Sequence, residues 1–264
     1  MVAENRATPH AATKYFQAGA RRDLPAWVRA GLCGGLALAA GTCAAADPTP
    51  ELGEVLVVAS TPLAGIGLSR EQIPANVQTA TTEELQQGGS PDLSEFLNRH
   101  FGSLHVNDVQ GSPFMNDVSY RGYTASPLLG TPQGLSVYMD GVRLNQPFGD
   151  VVMWDMIPKG ALAGATLMSG ANPMFGLNTL GGALAFRTKD GLRNPGTALE
   201  LGVGSFGRGM VQLEHGGSND KGLNWYLLGT GYHENGWRDA SPARLGQLFG
   251  KLGWRGADAE LNLS

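Results

Sequence analysis

At 264 residues the chain has room for one or two domains, and an apolar fraction of 42% allows a packed core. Its 39 glycines, against an average share of roughly 7%, follow no collagen period and imply tight turns and close backbone approaches, which favours a β-rich protein over a helical bundle. Residues 1–46 hold five basic side chains (Arg6, Lys14, Arg21, Arg22, Arg29) and two acids (Glu4, Asp23); removing them from totals of 19 and 23 leaves 14 basic and 21 acidic residues, net −7, with no basic stripe to hold a nucleic acid.

In chain order, Arg21, Arg22 and Arg29 precede an apolar run from Ala30 to Ala46. Its centre, Leu36 to Ala40, is far shorter than the about 20 apolar residues a spanning helix needs. Ala44-Ala45-Ala46 offers the small residues that a signal peptidase reads. The order basic, apolar, small predicts an export signal over 1–46, cleaved before Asp47. A twin-arginine signal at Arg21-Arg22 and lipidation at Cys43 fit less well, because the residues around them depart from those motifs. Both cysteines, Cys33 and Cys43, fall inside the leader, so the mature chain is expected to have no disulfide and no thiolate metal site.

Asp47-Pro48-Thr49-Pro50 excludes helix. Glu54-Val55-Leu56-Val57-Val58-Ala59 is a short, isolated β-branched run. It reads either as an ordinary N-terminal sheet strand or as a strand offered to another protein, where main-chain hydrogen bonds supply the affinity.

Residues 70–190 read as a small α+β domain. Ile73 to Thr79 is a strand. Thr81 and Glu84 fit a capping box that opens a helix through Gln87, ended by Gly88-Gly89. Ser90-Pro91-Asp92 predicts a second helix with Ser90 as N-cap and Pro91 at its first position. Leu93, Phe96 and Leu97 give that helix one buried face, and Gly102 ends it. Leu104 to Val106 and Val118 to Tyr123 read as strands. Leu135 to Leu144 reads as a hairpin turning at Asp140-Gly141. Ala165 to Met168 and Gly182 to Thr188 are further strands, with Gly170, Gly176 and Gly181 between them.

From 197 onward the pattern alternates. Leu199, Leu201 and Val203 alternate with Ala198, Glu200 and Gly202; Val211 and Leu213 alternate with Gln212 and Glu214. Leu223 to Tyr232, Gln247 to Trp254 and Ala259 to Leu263 complete five strands, separated by turn signals at 216–220 and 239–242. This period belongs equally to a soluble antiparallel sheet and to a transmembrane barrel. A plugged barrel needs about 22 strands, so a barrel reading makes this one incomplete.

Enzyme signals are weak. Gly202-x-Gly204-x-x-Gly207 matches a dinucleotide fingerprint, but a strand pattern follows where a helix is required. The five histidines lack metal-ligand spacing, and no G-x-S-x-G elbow is present. Asp150 and Asp155 flank Trp154 in a loop, a placement that suits solvation better than paired acid/base work. No catalytic residue, cofactor or metal is expected.

Four segments together carry a family resemblance. Tyr120-Arg121-Gly122-Tyr123, Val137-Tyr138-Met139-Asp140-Gly141-Val142 and the stretch Ser169 to Lys189 resemble, in order and spacing, the plug motifs of TonB-dependent outer-membrane receptors. Glu54 to Ala59 is similar to that family's TonB box. The resemblance implies an α+β plug domain followed by the first antiparallel strands of an incomplete transmembrane β-barrel. The implied division is a signal peptide over 1–46, a periplasmic segment over 47–69 with the box at 54–59, a plug over 70–190 and barrel strands over 191–264.

The implied function is energised uptake of a scarce ligand at the outer membrane; family ligands include ferric siderophores, cobalamin, haem and some saccharides. The implied partners are the TonB C-terminal domain, pairing with Glu54, Val55, Leu56, Val57, Val58 and Ala59; a small-molecule ligand, possibly a metal chelate; and outer-membrane lipid, with no nucleic acid. Tyr123, Gln146, Phe148, Asp150 and Trp154 are the ligand-facing candidates. A free-standing periplasmic plug-like module, a decayed receptor fragment and an exported β-rich enzyme are the alternatives. The sequence departs from the family pattern at Ala161 to Thr166, which carries no charge, and at Ser169, where arginine is common. The resemblance implies that such charges tie plug to barrel, so the departure bears on plug seating. Phe175 stands where tyrosine is usual.

Overall fold

The computed structural model describes residues 14–17, 57–59, 67–69 and 87 by backbone alone, and 73, 75–86, 92–109, 111–171, 173–256 and 259–264 with their side chains. The predicted export signal lies outside the described residues except for β1 (Lys14–Gln17). Two short strands follow, β2 (Val57–Ala59) and β3 (Gly67–Ser69), paired antiparallel.

β4 (Val77–Thr81) leads directly into α1 (Thr82–Gln87) through the predicted capping box. Thr81 N–H donates to Glu84 Oε2 at 2.8 Å, and Glu84 N–H donates to Thr81 Oγ1 at 3.4 Å. Two donors at the helix start, where no intrahelical acceptor exists, are thereby satisfied. The glycines expected to end α1 lie outside the described residues.

α2 (Leu93–His100) corrects the expected cap. Its N-cap is Asp92, with extended backbone at φ −73 and ψ 112, and not Ser90. Asp92 Oδ1 accepts from Ser94 N–H at 2.9 Å and from Ser94 Oγ at 2.6 Å. Both Ser90 and Asp92 are good capping residues; Asp92 is the one whose carboxylate reaches the backbone N–H two residues on. The helix buries Leu93, Phe96 and Leu97 as the spacing predicts. Its end is pinned to β4, because Gly102 N–H donates to Gln78 Oε1 at 2.6 Å and Gly102 O accepts from Gln78 Nε2 at 3.2 Å.

β5 (Leu104–Asp108), β6 (Asn116–Tyr120) and β7 (Tyr123–Ala125) form a three-stranded antiparallel sheet. The run 118–123, expected as one strand, is therefore two. The chain folds back at Arg121-Gly122, where both φ are positive at 50° and 88°, as a type I′ turn requires. The predicted hairpin forms as β8 (Leu135–Met139) and β9 (Val142–Arg143), with Asp140 and Gly141 at φ 48° and 85°. β10 (Leu162–Ser169) and β11 (Gly182–Thr188) complete a five-stranded sheet in the order β4-β10-β11-β8-β9. Only the β8–β11 pair in it is parallel. The sheet, α2 and the three-stranded sheet close on one apolar cluster that includes Leu97, Val118, Tyr120, Val137, Trp154, Leu167 and Leu184. Each such large apolar side chain contributes about 1.5–3 kcal/mol through burial.

The rest is an antiparallel meander: β12 (Gly196–Gly204), β13 (Arg208–Ser218), β14 (Leu223–Glu234), β15 (Ala243–Arg255) and β16 (Glu260–Leu263), with β1 paired to β12 at its other edge. The five predicted strands are present. Gly202, Gly204 and Gly207 lie in the β12–β13 hairpin, and strand follows them. Alternation sorts the side chains into two faces. Leu199, Leu201, Val211, Leu213, Leu227, Leu252 and Trp254 are exposed on one. Met210, Tyr226, Leu228, Thr230, Tyr232 and Phe249 are buried on the other. No described helix is long and apolar enough to cross a membrane, which says nothing of strands.

The α2 cap makes stability depend on pH. Burial pushes the Asp92 carboxyl up to about 6 from 3.8, against the opposing hydrogen bonds from Ser94. The folded chain then holds this proton more tightly than the unfolded one. The contribution to stability is full below about pH 4 and is lost as pH rises through about 6. Asp92→Asn keeps a capping oxygen and should remove that decline. Urea midpoints measured across the window check it, and an unchanged slope in the variant contradicts the assignment.

Candidate functional site

The parallel run of β8 and β11 places three connections at one end of the five-stranded sheet: residues 126–134, 144–153 and 170–181. They are knitted together by hydrogen bonds. Gln133 organises the first, with Nε2 donating to Ser126 O at 3.1 Å and to Thr131 Oγ1 at 2.8 Å, and Oε1 accepting from Ser126 N–H at 3.0 Å. Gly134 O accepts from Leu180 N–H at 3.0 Å and Gly181 N–H at 2.9 Å, joining the first loop to the third. Asn145 braces the second, accepting from Val137 N–H at 2.7 Å and donating to the Leu135 and Asp150 carbonyls at 3.2 Å each. Tyr138 OH donates to Phe175 O.

The predicted ligand-facing residues separate into four groups. Gln146 and Phe148 stand at the exposed tip of the second loop, Phe148 with 77% of its surface free. Tyr123 is partly exposed, and its side chain lies close against Gly134 and Gly181. A Cβ on either glycine would come within 2.5 or 2.6 Å of a ring carbon, so a larger residue at either position would have to displace the Tyr123 side chain. Asp150 is a loop organiser at φ 52°, accepting from Arg143 Nη2 at 3.3 Å and from Asn178 Nδ2 at 3.1 Å. Arg143 Nη2 also donates to Leu177 O at 2.8 Å.

Trp154 is a correction. It is 3% exposed within the main apolar cluster, and its indole Nε1–H donates to Ala125 O at 3.1 Å. A short 3-10 turn over Trp154–Met156 carries the ring inward. Its neighbours Val151, Val152 and Ile157 are buried too, an apolar signal that marks this stretch as core. The residues not anticipated are Leu129, Leu177 and Leu180, exposed on the same three connections. In the N-terminal run, Glu54, Val55 and Leu56 lie outside the described residues, while Val57, Val58 and Ala59 form β2 against β3.

At the opposite end of the sheet the α+β domain is fastened to the meander. Lys189, 2% exposed at its side chain, places Nζ 2.6 Å from Glu214 Oε2 on β13. The same oxygen accepts from Tyr226 OH on β14 at 2.5 Å, and Lys189 N–H donates to Ala161 O at 2.7 Å. A second fastening centres on Asp140. It accepts from Thr188 N–H at 2.9 Å, from Thr188 Oγ1, and from Lys251 Nζ on β15 at 2.8 Å. Burial favours the neutral form of Asp140, but the Lys251 and Thr188 hydrogen bonds outweigh it and hold the carboxyl below its usual range. Gln247 Nε2 donates to Asp155 O at 2.6 Å, Phe114 packs edge-on to Tyr232 at 5.0 Å, and Arg238 reaches Asp108 at 3.3 Å. The uncharged stretch Ala161 to Thr166 thus leaves the charged fastenings to Lys189, Asp140 and Asp108. Among the described residues no group of three His, Cys, Asp or Glu is placed to hold a metal ion.

Residues 69–183 match the profile of the TonB-dependent Receptor Plug Domain family. Among solved structures, the chain is similar to the pyoverdine outer-membrane receptor FpvA of Pseudomonas aeruginosa, at TM-score 0.61 and 15% identity over 78% of this chain and 29% of that one. It is similar to BauA, the ferric preacinetobactin receptor of Acinetobacter baumannii, at 0.59 and 16% over 78% and 29%. It is also similar to the alcaligin receptor FauA of Bordetella pertussis, at 0.55 and 16% over 75% and 32%. The chain spans about a third of these receptors' length or less. No curated protein sequence matches.

The buried Lys189–Glu214 pair yields a stability test. Desolvation costs several kcal/mol per ion, so the intact pair adds little net stability, whereas breaking it costs about 3–5 kcal/mol. Lys189→Met should lose an amount in that range and raise amide exchange at 188–191. Lys189→Met with Glu214→Leu should recover most of it. A single variant as stable as the parent contradicts the buried pairing.

Proposed function

Since residues 69–183 form a TonB-dependent receptor plug domain, followed by antiparallel strands with the fold of such receptors, we propose that the chain is the N-terminal portion of an outer-membrane receptor for energised uptake of a scarce ligand, such as a ferric siderophore. In this reading it is a transport receptor and not an enzyme. Residues 1–46 direct export, 47–69 carry the coupling segment, 70–190 are the plug and 191–264 begin the barrel. The observation that carries the reading is the division of labour between the two ends of the plug sheet. One end gathers three braced loops with exposed side chains; the other is fastened to the strand wall through Lys189 and Asp140.

Ligand settles on the loop end, with Tyr123, Gln146 and Phe148 as its contacts and Asp150 holding the loop in shape. TonB captures residues 54–59 by adding a strand, so that main-chain hydrogen bonds carry the pull. Val57–Ala59 already has extended backbone, paired with Gly67–Ser69. That short ladder has to open, or lend its free edge, for a partner strand to join. Pulling then loads the plug, and the Lys189–Glu214 and Asp140–Lys251 ties limit how far it rearranges.

Val57→Pro removes one ladder donor. Uptake of radioiron chelates by energised cells carrying the complete receptor should stop, while chelate binding to the same cells at low temperature persists. Normal energised uptake by this variant would contradict the coupling assignment.

A further inference from the structure

We propose that Asn235 is a site of self-modification: in the folded wall the backbone nitrogen of Gly236 attacks its carboxamide and converts it to aspartate and isoaspartate, and the isoaspartate slackens the loop that carries Arg238 to Asp108. Asparagine is among the thermally labile residues, and a following glycine has no side chain to crowd the attacking nitrogen. Asn235-Gly236 is the only Asn-Gly step in the chain. Asn235 is exposed and directly follows β14. Among the described residues no hydrogen bond holds its carboxamide or the Gly236 N–H, while the Asn235 N–H donates to Phe206 O at 2.9 Å.

The loop's own packing keeps glycine at the attacking position. Gly236 has φ 78°, and a Cβ there would lie 2.1 Å from Ser241 O. Other asparagines are tied down. Asn145 accepts from Val137 N–H and donates to the Leu135 and Asp150 carbonyls. Asn219 is exposed like Asn235, but its Oδ1 accepts from the Lys221 and Leu223 N–H groups at 3.1 and 3.0 Å. It is therefore an internal control.

In the first step a bond forms between the Gly236 nitrogen and Asn235 Cγ, and the bond from Cγ to the side-chain nitrogen breaks. That nitrogen leaves as ammonia, taking the proton that Gly236 gives up. Water then opens the cyclic imide. Cleavage between the nitrogen and Cγ restores the main chain with an aspartate; cleavage between the nitrogen and the main-chain carbonyl carbon routes the chain through the side chain, as isoaspartate. The only co-reactant is water. The new carboxylate arises beside Gly207 and next to Glu234, which is already paired with Arg208 at 2.9 Å. Isoaspartate also lengthens the main chain between the anchored Asn235 N–H and the packed Gly236. The same loop carries Arg238, which reaches Asp108 on the plug at 3.3 Å, so the added length acts on a contact between wall and plug.

The test holds the complete receptor, folded in detergent, for days in warm, mildly alkaline buffer. Conversion is read by peptide mass, and isoaspartate by methylation with a protein isoaspartyl methyltransferase. Asn235 should convert at least about tenfold faster than Asn219 in the same sample, and as fast as in a free peptide of residues 230–241. Asn235→Gln should abolish both signals at this position, because its longer side chain would have to close a larger ring. The fraction enriched in isoaspartate should show faster amide exchange at 105–115 than the unconverted fraction. An Asn235 that stays intact in the folded receptor while the free peptide converts, or conversion no faster than at Asn219, overturns the site. Equal exchange in the two fractions overturns the link to the plug.

Discussion

Everything in this chain depends on how a strand wall with two unlike faces is completed. A β-strand sends successive side chains to opposite faces. Along β13 to β15 one set is leucine, valine and tryptophan and is exposed, while the other holds Glu214, Tyr226, Thr230, Gln247 and Lys251. Polar groups closed off from water are costly unless each finds a partner. Thr230 finds its partner in Gln212 on β13, and the plug provides the others, which sets where it sits: Lys189 must reach Glu214, Gly160 O must reach Tyr226, and Asp140 must reach Lys251. Buried ion pairs of this kind contribute little net stability, because desolvation offsets attraction. Their value here is registration, since a shift of one residue along β13 turns Glu214 to the apolar face.

Registration at one end leaves the other end free to vary. The loops above β8 and β11 are rigid for loops, braced by Gln133, Asn145 and the Arg143–Asp150 pair, yet they expose large apolar side chains. A rigid scaffold presenting loops is the usual home of recognition. The same hairpin, β8 and β9, belongs to both ends: its turn holds Asp140, and its last residue, Arg143, organises the loop that carries Phe148. In the proposed setting, a ligand that displaces the Phe148 loop acts on a strand whose other end is tied to the wall.

Much of the fold is legible in the sequence because it rests on local rules. The capping box at Thr81 and Glu84, the Asp140-Gly141 turn, the buried stripe of α2 and the alternating strands all need only near neighbours. The misreadings have the same origin. Ser90 and Asp92 are both good caps, and local pattern does not choose between them. Arg121-Gly122 is a turn set within a continuous β-rich run, so the run reads as one strand. The fastenings are not legible in the sequence, because Asp140 and Lys251 are 111 residues apart in the chain, and Lys189 and Glu214 are 25 apart. Trp154 reads as a loop aromatic from its neighbours in sequence, and the burial of Val151, Val152 and Ile157 beside it marks it as core. An isolated leucine in a glycine-rich connection has no pattern, and only the folded chain brings Leu129 to Gly149 and Tyr123 to Gly181.

The two unlike faces of the wall are the feature on which plug and strands depend. The most direct measurement places a nitroxide at each position from 223 to 234 of the complete receptor in a bilayer and compares accessibility to oxygen, which concentrates in lipid, with accessibility to a water-soluble relaxer. The account predicts a two-residue period, with Leu223, Trp225 and Leu227 open to oxygen and Tyr226, Leu228 and Tyr232 shielded from both reagents by the plug. Equal oxygen accessibility on the two faces, or water access at Tyr226 and Leu228, would contradict it.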